Sequence, residues 1–360
     1  MSSDFVDQLA KELNLSEAEL GVLNQADVRT AEDVDSLVSA FPSLAGRVRL
    51  PLLADAVVRR LGAAYVAGAE SRRTSPPRNG FGADPPPGSP FTRGTIVGVV
   101  PPSAFTPMPS PPGAIDLRVQ PWPVRNQQGR GTCVAFSTTA CVEHMQFAAE
   151  GRASDYSEQF LYWAIKDHSN DPNKNQDSTL LQFARDMLRS DGTCHETLCA
   201  YDGNLPTPVS GPNPSGAAKA DAAAHRFTPG AFMQRPSGAA RTVLQLLHNG
   251  RPVAVSLPVF ADPVDPNGPN NWMTSVAWSY GRVLNPPPGA VASQGHCVCV
   301  TGFVPDAGEP NGGYFIFRNS WDSYWAAAAP SPGASYSPER GYGEISATYI
   351  NSYCWELLQV

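Results

Sequence analysis

Residues 71–113 impose the first constraint on the fold, because they are dominated by Pro, Gly, Ser and Thr (SPPRNGFGADPPPGSP, then PPSAFTPMPSPPG). Proline lacks the N–H that a ladder needs, so this stretch favours extended, semi-rigid chain over helix or sheet. It divides the sequence into a short first part, residues 1–70, and a large region, residues 114–360. At 360 residues the chain has room for one large domain and something smaller. With 36 prolines and 31 glycines, long irregular connections are expected within the large region too.

The first part reads as a small all-α module. Ser16 with Glu19 has the spacing of a capping box, and so does Thr30 with Asp33. Leu50, Leu53, Val57, Val58, Leu61 and Tyr65 recur at helical spacing and predict a last helix. Beyond the linker, Thr132–Glu150, Ser157–His168 and Thr179–Ser190 read as helices. Arg251–Val259, Cys297–Phe303 and Tyr314–Arg318 are apolar runs bounded by Gly, Pro and Asn, as strands are. Helices followed by strands predict an α+β domain with a cleft between the two halves. Residues 202–238, 261–294 and 326–340 are rich in Gly, Pro, Ala and Asn and read as surface insertions.

A net charge of −7 and the lack of a dense basic run argue against a nucleic-acid partner and for protein or peptide partners. The opening MSSDFVDQLAKELNL is acidic where a secretory signal is basic and then apolar. No uninterrupted apolar run of ~18 residues follows it. These features predict a cytoplasmic protein with no membrane association. Seven cysteines are an odd number in a chain large enough to fold without staples, so at least one thiol stays free.

The chemistry concentrates in three stretches. In PVRNQQGRGTCVAFS, Pro123–Ser137, a polar loop with Gly129 and Gly131 runs through Thr132 into a helix that begins at Cys133. The glycines keep the approach to the sulfur open. The helix macrodipole is expected to lower the thiol's pKa and so raise the nucleophilic thiolate fraction. Gln127 stands close enough to place its amide beside the sulfur as a donor to a developing oxyanion, with the Cys133 N–H as a second donor. In SQGHCVCVTGF, His296 follows Gly295 into an apolar strand, which puts its ring at the sheet margin. In YFIFRNSW a strand ends at Asn319, whose carbonyl can accept an imidazole N–H, with Trp321 two residues on. A tryptophan near a strand end is commonly core packing; shielding of that hydrogen bond is the alternative.

These motifs, in this order, resemble the papain-like cysteine peptidases. Asn126-Gln127 is followed by Gly131-Thr132-Cys133-Val134-Ala135-Phe136-Ser137, Ser157-Glu158-Gln159, Gly295-His296, Asn319-Ser320-Trp321 with Trp325, and Gly341-Tyr342-Gly343. Asp116-Leu117-Arg118 looks like the start of the mature enzyme in bacterial members. The resemblance implies a helical left lobe bearing Cys133, a β-barrel-like right lobe bearing His296 and Asn319, and a substrate groove between them. It also implies Gln127 as oxyanion donor, Trp321 as shield, and Ser256 and Gly295 near the main specificity pocket. Arg130 and Val134 stand where the C-G-[SA]-C-[WY] signature has a cysteine and an aromatic, which argues against the usual lobe disulfide. The separations from Cys133 to His296 and Asn319 exceed the ~130–150 residues of those relatives, and inserted loops account for the excess. Residues 1–113 lack the helical inhibitory pattern of plant or lysosomal members.

The expected function is therefore a cysteine endopeptidase working through an acyl-enzyme, without cofactor or metal. Acyl or peptide transfer by the same chemistry is the alternative. A third reading is an interaction protein whose helical module recruits a protein partner through the linker and whose protease activity is switched. A related expectation is self-inhibition, with part of Phe91–Pro112 lying in the cleft as an extended plug. Cys297 and Cys299 alternate to one strand face, and packing is favoured there over a metal site. For Cys194, His195 and Cys199 neither a disulfide nor a metal half-site is favoured. His144 and His168 are expected on solvated helix faces.

Overall fold

The computed structural model describes residues 4–47, 80–98, 113–118, 123–206, 210–328 and 339–360. The expected helix at Leu50–Tyr65, most of Phe91–Pro112 and most of residues 326–340 lie outside these. Four short helices open the chain: α1 (Asp4–Leu13), α2 (Glu17–Gln25), α3 (Ala31–Ala40) and α4 (Pro42–Arg47). Both capping boxes form, with the Ser16 and Thr30 hydroxyls accepting from the Glu19 and Asp33 backbone N–H groups and the two carboxylates answering.

The helical lobe consists of α5 (Cys133–Glu150), α6 (Glu158–Asp167) and α7 (Leu181–Ser190), within a residue or two of the sequence expectation. Their buried faces share one core that includes Val134, Leu161, Ile165, Leu181 and Leu188. The insertion at 202–238 holds more structure than its composition suggests: α8 (Gly216–Ala224) and the short strand β2 (Phe232–Gln234). Alanine suits a helix even where no amphipathic pattern announces one.

The other lobe is one mixed sheet. Its strands are β1 (Ile115–Asp116), β2, β3 (Val253–Ala261), β4 (Arg282–Val283), β5 (Val291–Pro305), β6 (Gly313–Arg318), β7 (Tyr342–Ser346) and β8 (Glu356–Gln359). They run in the order β2-β8-β3-β5-β6-β7-β4, with β1 on β5. The end strands β2 and β4 do not pair with each other among the described residues, so the ladder is open where a barrel would close. Helices α9 (Ala239–His248), α10 (Ser275–Tyr280) and α11 (Ala347–Tyr353) complete this lobe.

The period-two alternation of a strand divides the sheet between two cores. Ala254, Cys297, Cys299 and Leu358 pack with the helical lobe, whereas Val253, Val255, Leu257, Val298 and Val300 pack with α9 and α11. The second core also takes in Leu23, Val34, Leu37, Phe41 and Leu44 of the N-terminal helices. A buried ion cluster joins the same partners: Arg29 to Glu344 at 2.6 Å, Arg282 to Asp33 at 2.8 Å, and the Tyr314 hydroxyl donating to Asp27 at 2.9 Å. The N-terminal helices are thus seated on the sheet lobe.

Candidate functional site

Cys133 is the first residue of α5 and is fully buried. The loop before it is fixed by tight contacts. The Gly131 N–H donates to Asp177 Oδ2 at 2.5 Å, and a Cβ on Gly131 would stand 2.2 Å from the Asp177 carbonyl oxygen, so only glycine fits. The Thr132 hydroxyl shares a hydrogen bond of 2.8 Å with Tyr201, whose hydroxyl also lies 2.8 Å from the Gln127 carbonyl oxygen.

His296 is also fully buried, on β5, and its Nε2 donates to Asn319 Oδ1 at 2.8 Å. The carboxamide oxygen can only accept, so the proton on that nitrogen is assigned. The indole of Trp321 stacks on the imidazole at 4.7 Å and 26°, while Trp272 meets it edge-on at 5.0 Å. The other ring nitrogen, Nδ1, is buried and makes no hydrogen bond. The backbone N–H of Cys297, the residue after His296, lies near enough to the Cys133 sulfur to favour its thiolate, which brings nucleophile and imidazole into one neighbourhood. Gln127 is held by Ser320, whose hydroxyl donates to Oε1 at 2.5 Å, and its Nε2 donates to the carbonyls of Arg130 at 2.7 Å and Gly80 at 2.9 Å.

That last partner belongs to the 71–113 linker, expected as a possible cleft plug, but lies outside the Phe91–Pro112 part singled out for that role. Gly80–Asp84 crosses the site and touches both lobes. The Gly80 N–H donates to Gln128 O, Thr179 N–H to Gly82 O, Asp84 N–H to Thr179 O, and Ala83 N–H to Gly295 O, at 2.7, 2.9, 2.9 and 3.1 Å. Phe81 sets its ring edge-on against His296 at 5.5 Å and Trp321 at 5.4 Å. The Gly82 N–H lies near enough to the Cys133 sulfur to favour its thiolate. The described part of the expected plug, Phe91–Gly98, instead runs beside the start of β5, with Ile96 bridged to Val291.

Burial governs the resting protonation. It pushes the Cys133 thiol from its usual 9.0 up to about 12, against the lowering expected from the helix end and against the N–H groups that face the sulfur. It also pulls His296 from 6.5 down to about 4, with the Asn319 bond opposing weakly. Burial thus favours the neutral form of the thiol and of the imidazole.

Of the remaining expected residues, Gly295 lies directly under Ala83, and a Cβ on it would stand 2.3 Å from both the Ala83 carbonyl oxygen and the Trp355 ring. Ser256 is buried on β3 opposite Cys297. Cys297 and Cys299 are free and packed, with Cys299 Sγ 3.3 Å from Cys141 Sγ. His144 is buried, in contrast to the solvated face expected of it, because α5 is sandwiched between lobes; the His168 side chain is 45% exposed. Nothing local ties Trp272 or Phe81 to Cys133, so the sequence does not point to them, and Ser320 stands out there only as part of the Asn319-Ser320-Trp321 motif, without its role toward Gln127. Behind Asn319 and Ser320 lies a polar cavity lined by Arg125, Glu143, Glu158 and Arg318. There Arg125 pairs with Glu158 at 2.8 Å, Glu143 at 3.2 Å and Asp155.

The papain family cysteine protease model matches residues 111–329, more than half the chain. No curated protein matched the sequence at a significant level. Among solved structures, xylellain, a cysteine protease from Xylella fastidiosa, is 17% identical with a TM-score of 0.55, covering 79% of this chain and 96% of its own. Digestive procathepsin L 3 from Tenebrio molitor larval midgut is 20% identical with a TM-score of 0.48, covering 74% and 76%. Bromelain from Ananas comosus is 17% identical with a TM-score of 0.43, covering 69% and 99%. No helix among the described residues is long and apolar enough to cross a membrane. On the family match and the shared fold, this chain belongs to the papain family of cysteine proteases and is a cysteine-type peptidase.

Proposed function

We propose that the chain is an endopeptidase in which Cys133 attacks the peptide carbonyl, His296 moves the proton, Asn319 orients His296 and Gln127 holds the oxyanion. The observation that carries this reading is the 2.8 Å bond from His296 Nε2 to Asn319 Oδ1 beneath Trp321. It leaves Nδ1 as the lone-pair nitrogen, without a hydrogen bond of its own and so available to take the thiol proton.

In the forward step His296 Nδ1 takes the Cys133 proton and the sulfur forms a bond to the carbonyl carbon. The carbonyl oxygen becomes an oxyanion facing Gln127 Nε2 and the Cys133 N–H. The imidazolium then returns its proton to the departing amine, leaving a thioester. Water deprotonated by His296 attacks that thioester, releases the acid and restores the thiol. Asn319 fixes the tautomer throughout, and Trp321 keeps water from the Asn319 bond.

The same reading makes Gly80–Asp84 an internal inhibitor. It packs the Gly82 backbone on the nucleophile loop, where a Cβ on Gly82 would stand 1.8 Å from the Gly131 carbonyl oxygen, and Cys133 beneath is fully buried. It also fills Gln127's donor with the Gly80 carbonyl. Latency of this kind accounts for a thiol and imidazole both buried in their neutral forms.

The test is hydrolysis of a quenched peptide in ¹⁸O-labelled water by the full chain freed of the strap, beside Cys133→Ala. Heavy oxygen in the new carboxylate, absent with Cys133→Ala, is the expected result. A product formed only when an amine acceptor is added would replace hydrolysis by transfer, and equal turnover by Cys133→Ala would refute the assignment.

A further inference from the structure

Away from the cleft, on the outer side of the helical lobe, three side chains from two elements converge. Asp221 lies within α8 and His225 is the residue that caps its C-terminal end, one turn later on the same face. His195 opens the 3₁₀ turn Glu196–Leu198. One ligand-capable atom from each of the three lies within 4.8 Å of the others. His195 Nδ1 is 3.0 Å and His225 Nδ1 3.5 Å from Asp221 Oδ2, and the two imidazoles meet edge-to-face at 4.7 Å.

We propose that His195, Asp221 and His225 form a binding site for a divalent transition-metal ion of the zinc class. Bonds of about 2.0–2.2 Å at tetrahedral angles set ligand atoms roughly 3.3–3.5 Å apart; here one ligand atom from each residue lies within 4.8 Å of the others, so small side-chain rotations bring all three onto one ion. Two imidazoles and one carboxylate suit zinc, cobalt, nickel or copper and suit calcium or magnesium poorly.

Two supports are independent of the spacing. His225 Nδ1 is 2.8 Å from the Asp221 carbonyl oxygen, which can only accept, so Nδ1 carries the proton and Nε2 keeps the lone pair. Histidines that ligate metals commonly use a backbone carbonyl in this way to fix the tautomer. His195 is held by ring stacking on Tyr156 at 5.2 Å and 27°, and its own backbone N–H donates to Asp221 Oδ2 at 2.8 Å. The three side chains are 37%, 23% and 27% exposed, so an ion can enter and water can complete its shell.

The position gives the site a consequence. The 3₁₀ turn leads directly to Tyr201, which supports Thr132 and Gln127 beside Cys133. An ion joining α8 to the turn stiffens the chain segment that buttresses the nucleophile loop, some distance from the reacting atoms.

Cobalt(II) tests this in the full chain, because its spectrum separates nitrogen and oxygen ligands from thiolate. Equilibrium dialysis should show one cobalt bound with d–d bands and no thiolate charge-transfer band, and zinc should displace it. His195→Gln, Asp221→Asn and His225→Gln should each weaken that binding by at least about tenfold. Unchanged affinity in all three variants, or a spectrum with thiolate ligation alone, overturns the site. A measurement on the unmutated chain guards against misfolding of the variants. Saturating zinc should protect His195 and His225, and not the exposed His168, from diethylpyrocarbonate; equal modification with and without zinc also overturns the site.

Discussion

Gly82 offers the sharpest handle on latency. A Cβ built there would stand 1.8 Å from the Gly131 carbonyl oxygen, against backbone that cannot swing aside, so Gly82→Ala must strain the closed strap. The backbone of Gly80–Asp84 makes five hydrogen bonds, four with other backbone groups and one accepted from Gln127, besides the one that Asn173 donates to the Asp84 side chain. At ~1 kcal/mol net each they favour closure by about 5 kcal/mol. An overpacked methyl costs up to about 3 kcal/mol, which leaves ~2 kcal/mol and opens the strap about 3% of the time. At pH 7 a thiol held at about 12 is thiolate in roughly one part in 10⁵, against one in 10² at the ordinary 9.0. Opening 3% of the time should therefore raise alkylation of Cys133 by iodoacetamide about 20- to 30-fold. Cys199 supplies an internal clock: it is half-buried, and its contact with Cys194 lowers it to about 7, so it should label first in the unmutated chain. The assay is peptide mapping by mass spectrometry over time. If Gly82→Ala folds normally by circular dichroism and Cys133 still labels at the unmutated rate, the strap is not what silences the thiol.

Other outcomes follow from the same structure. Gln127→Ala, measured as kcat/KM on a peptide with the strap displaced, should fall by about 10²–10³, and His296→Ala by about 10²–10⁴. Arg125→Ala strands Glu143 and Glu158 without their cation and should cost about 3–5 kcal/mol in urea denaturation. Burial raises Glu143, Glu196, Glu309 and Glu356 from 4.5 to about 7. Because these folded-state values lie above the unfolded ones, their contribution is full below about 4.5 and lost as pH rises through 7. His296 acts in the opposite sense, with its contribution present above 6.5 and lost as pH falls toward 4. Burial lowers His144 in the same way, and four carboxyls outweigh two imidazoles, so the thermal midpoint should be higher at pH 5 than at pH 8; the reverse order would contradict the burial account.

The proposed catalytic residues were legible because each sits at a local punctuation mark: Cys133 at a helix start after glycines, His296 after Gly295, Asn319 at a strand end. Their supports were not legible. Ser320 orients Gln127 across 193 residues of sequence, and Trp272 reaches His296 from a Pro- and Gly-rich insertion with no periodicity. Gly80–Asp84 lies in the stretch whose composition marks it as linker. What holds it is backbone hydrogen bonding, which leaves no side-chain pattern except the small residues that fit the narrow gap. The same composition suggests an independent helical module, whereas Phe41, Leu44 and the Arg29–Glu344 pair bury the N-terminal helices against the sheet. That docking depends on partners about 300 residues away, beyond any local signal.

The central claim is covalent, and trapping the intermediate tests it most directly. Gly82→Ala protein mixed with an activated peptide ester and quenched in acid should carry one acyl group, mapped to Cys133, and adding His296→Ala should abolish it. An acyl group on any other residue, or equal acylation of Cys133 without the imidazole, would contradict the mechanism.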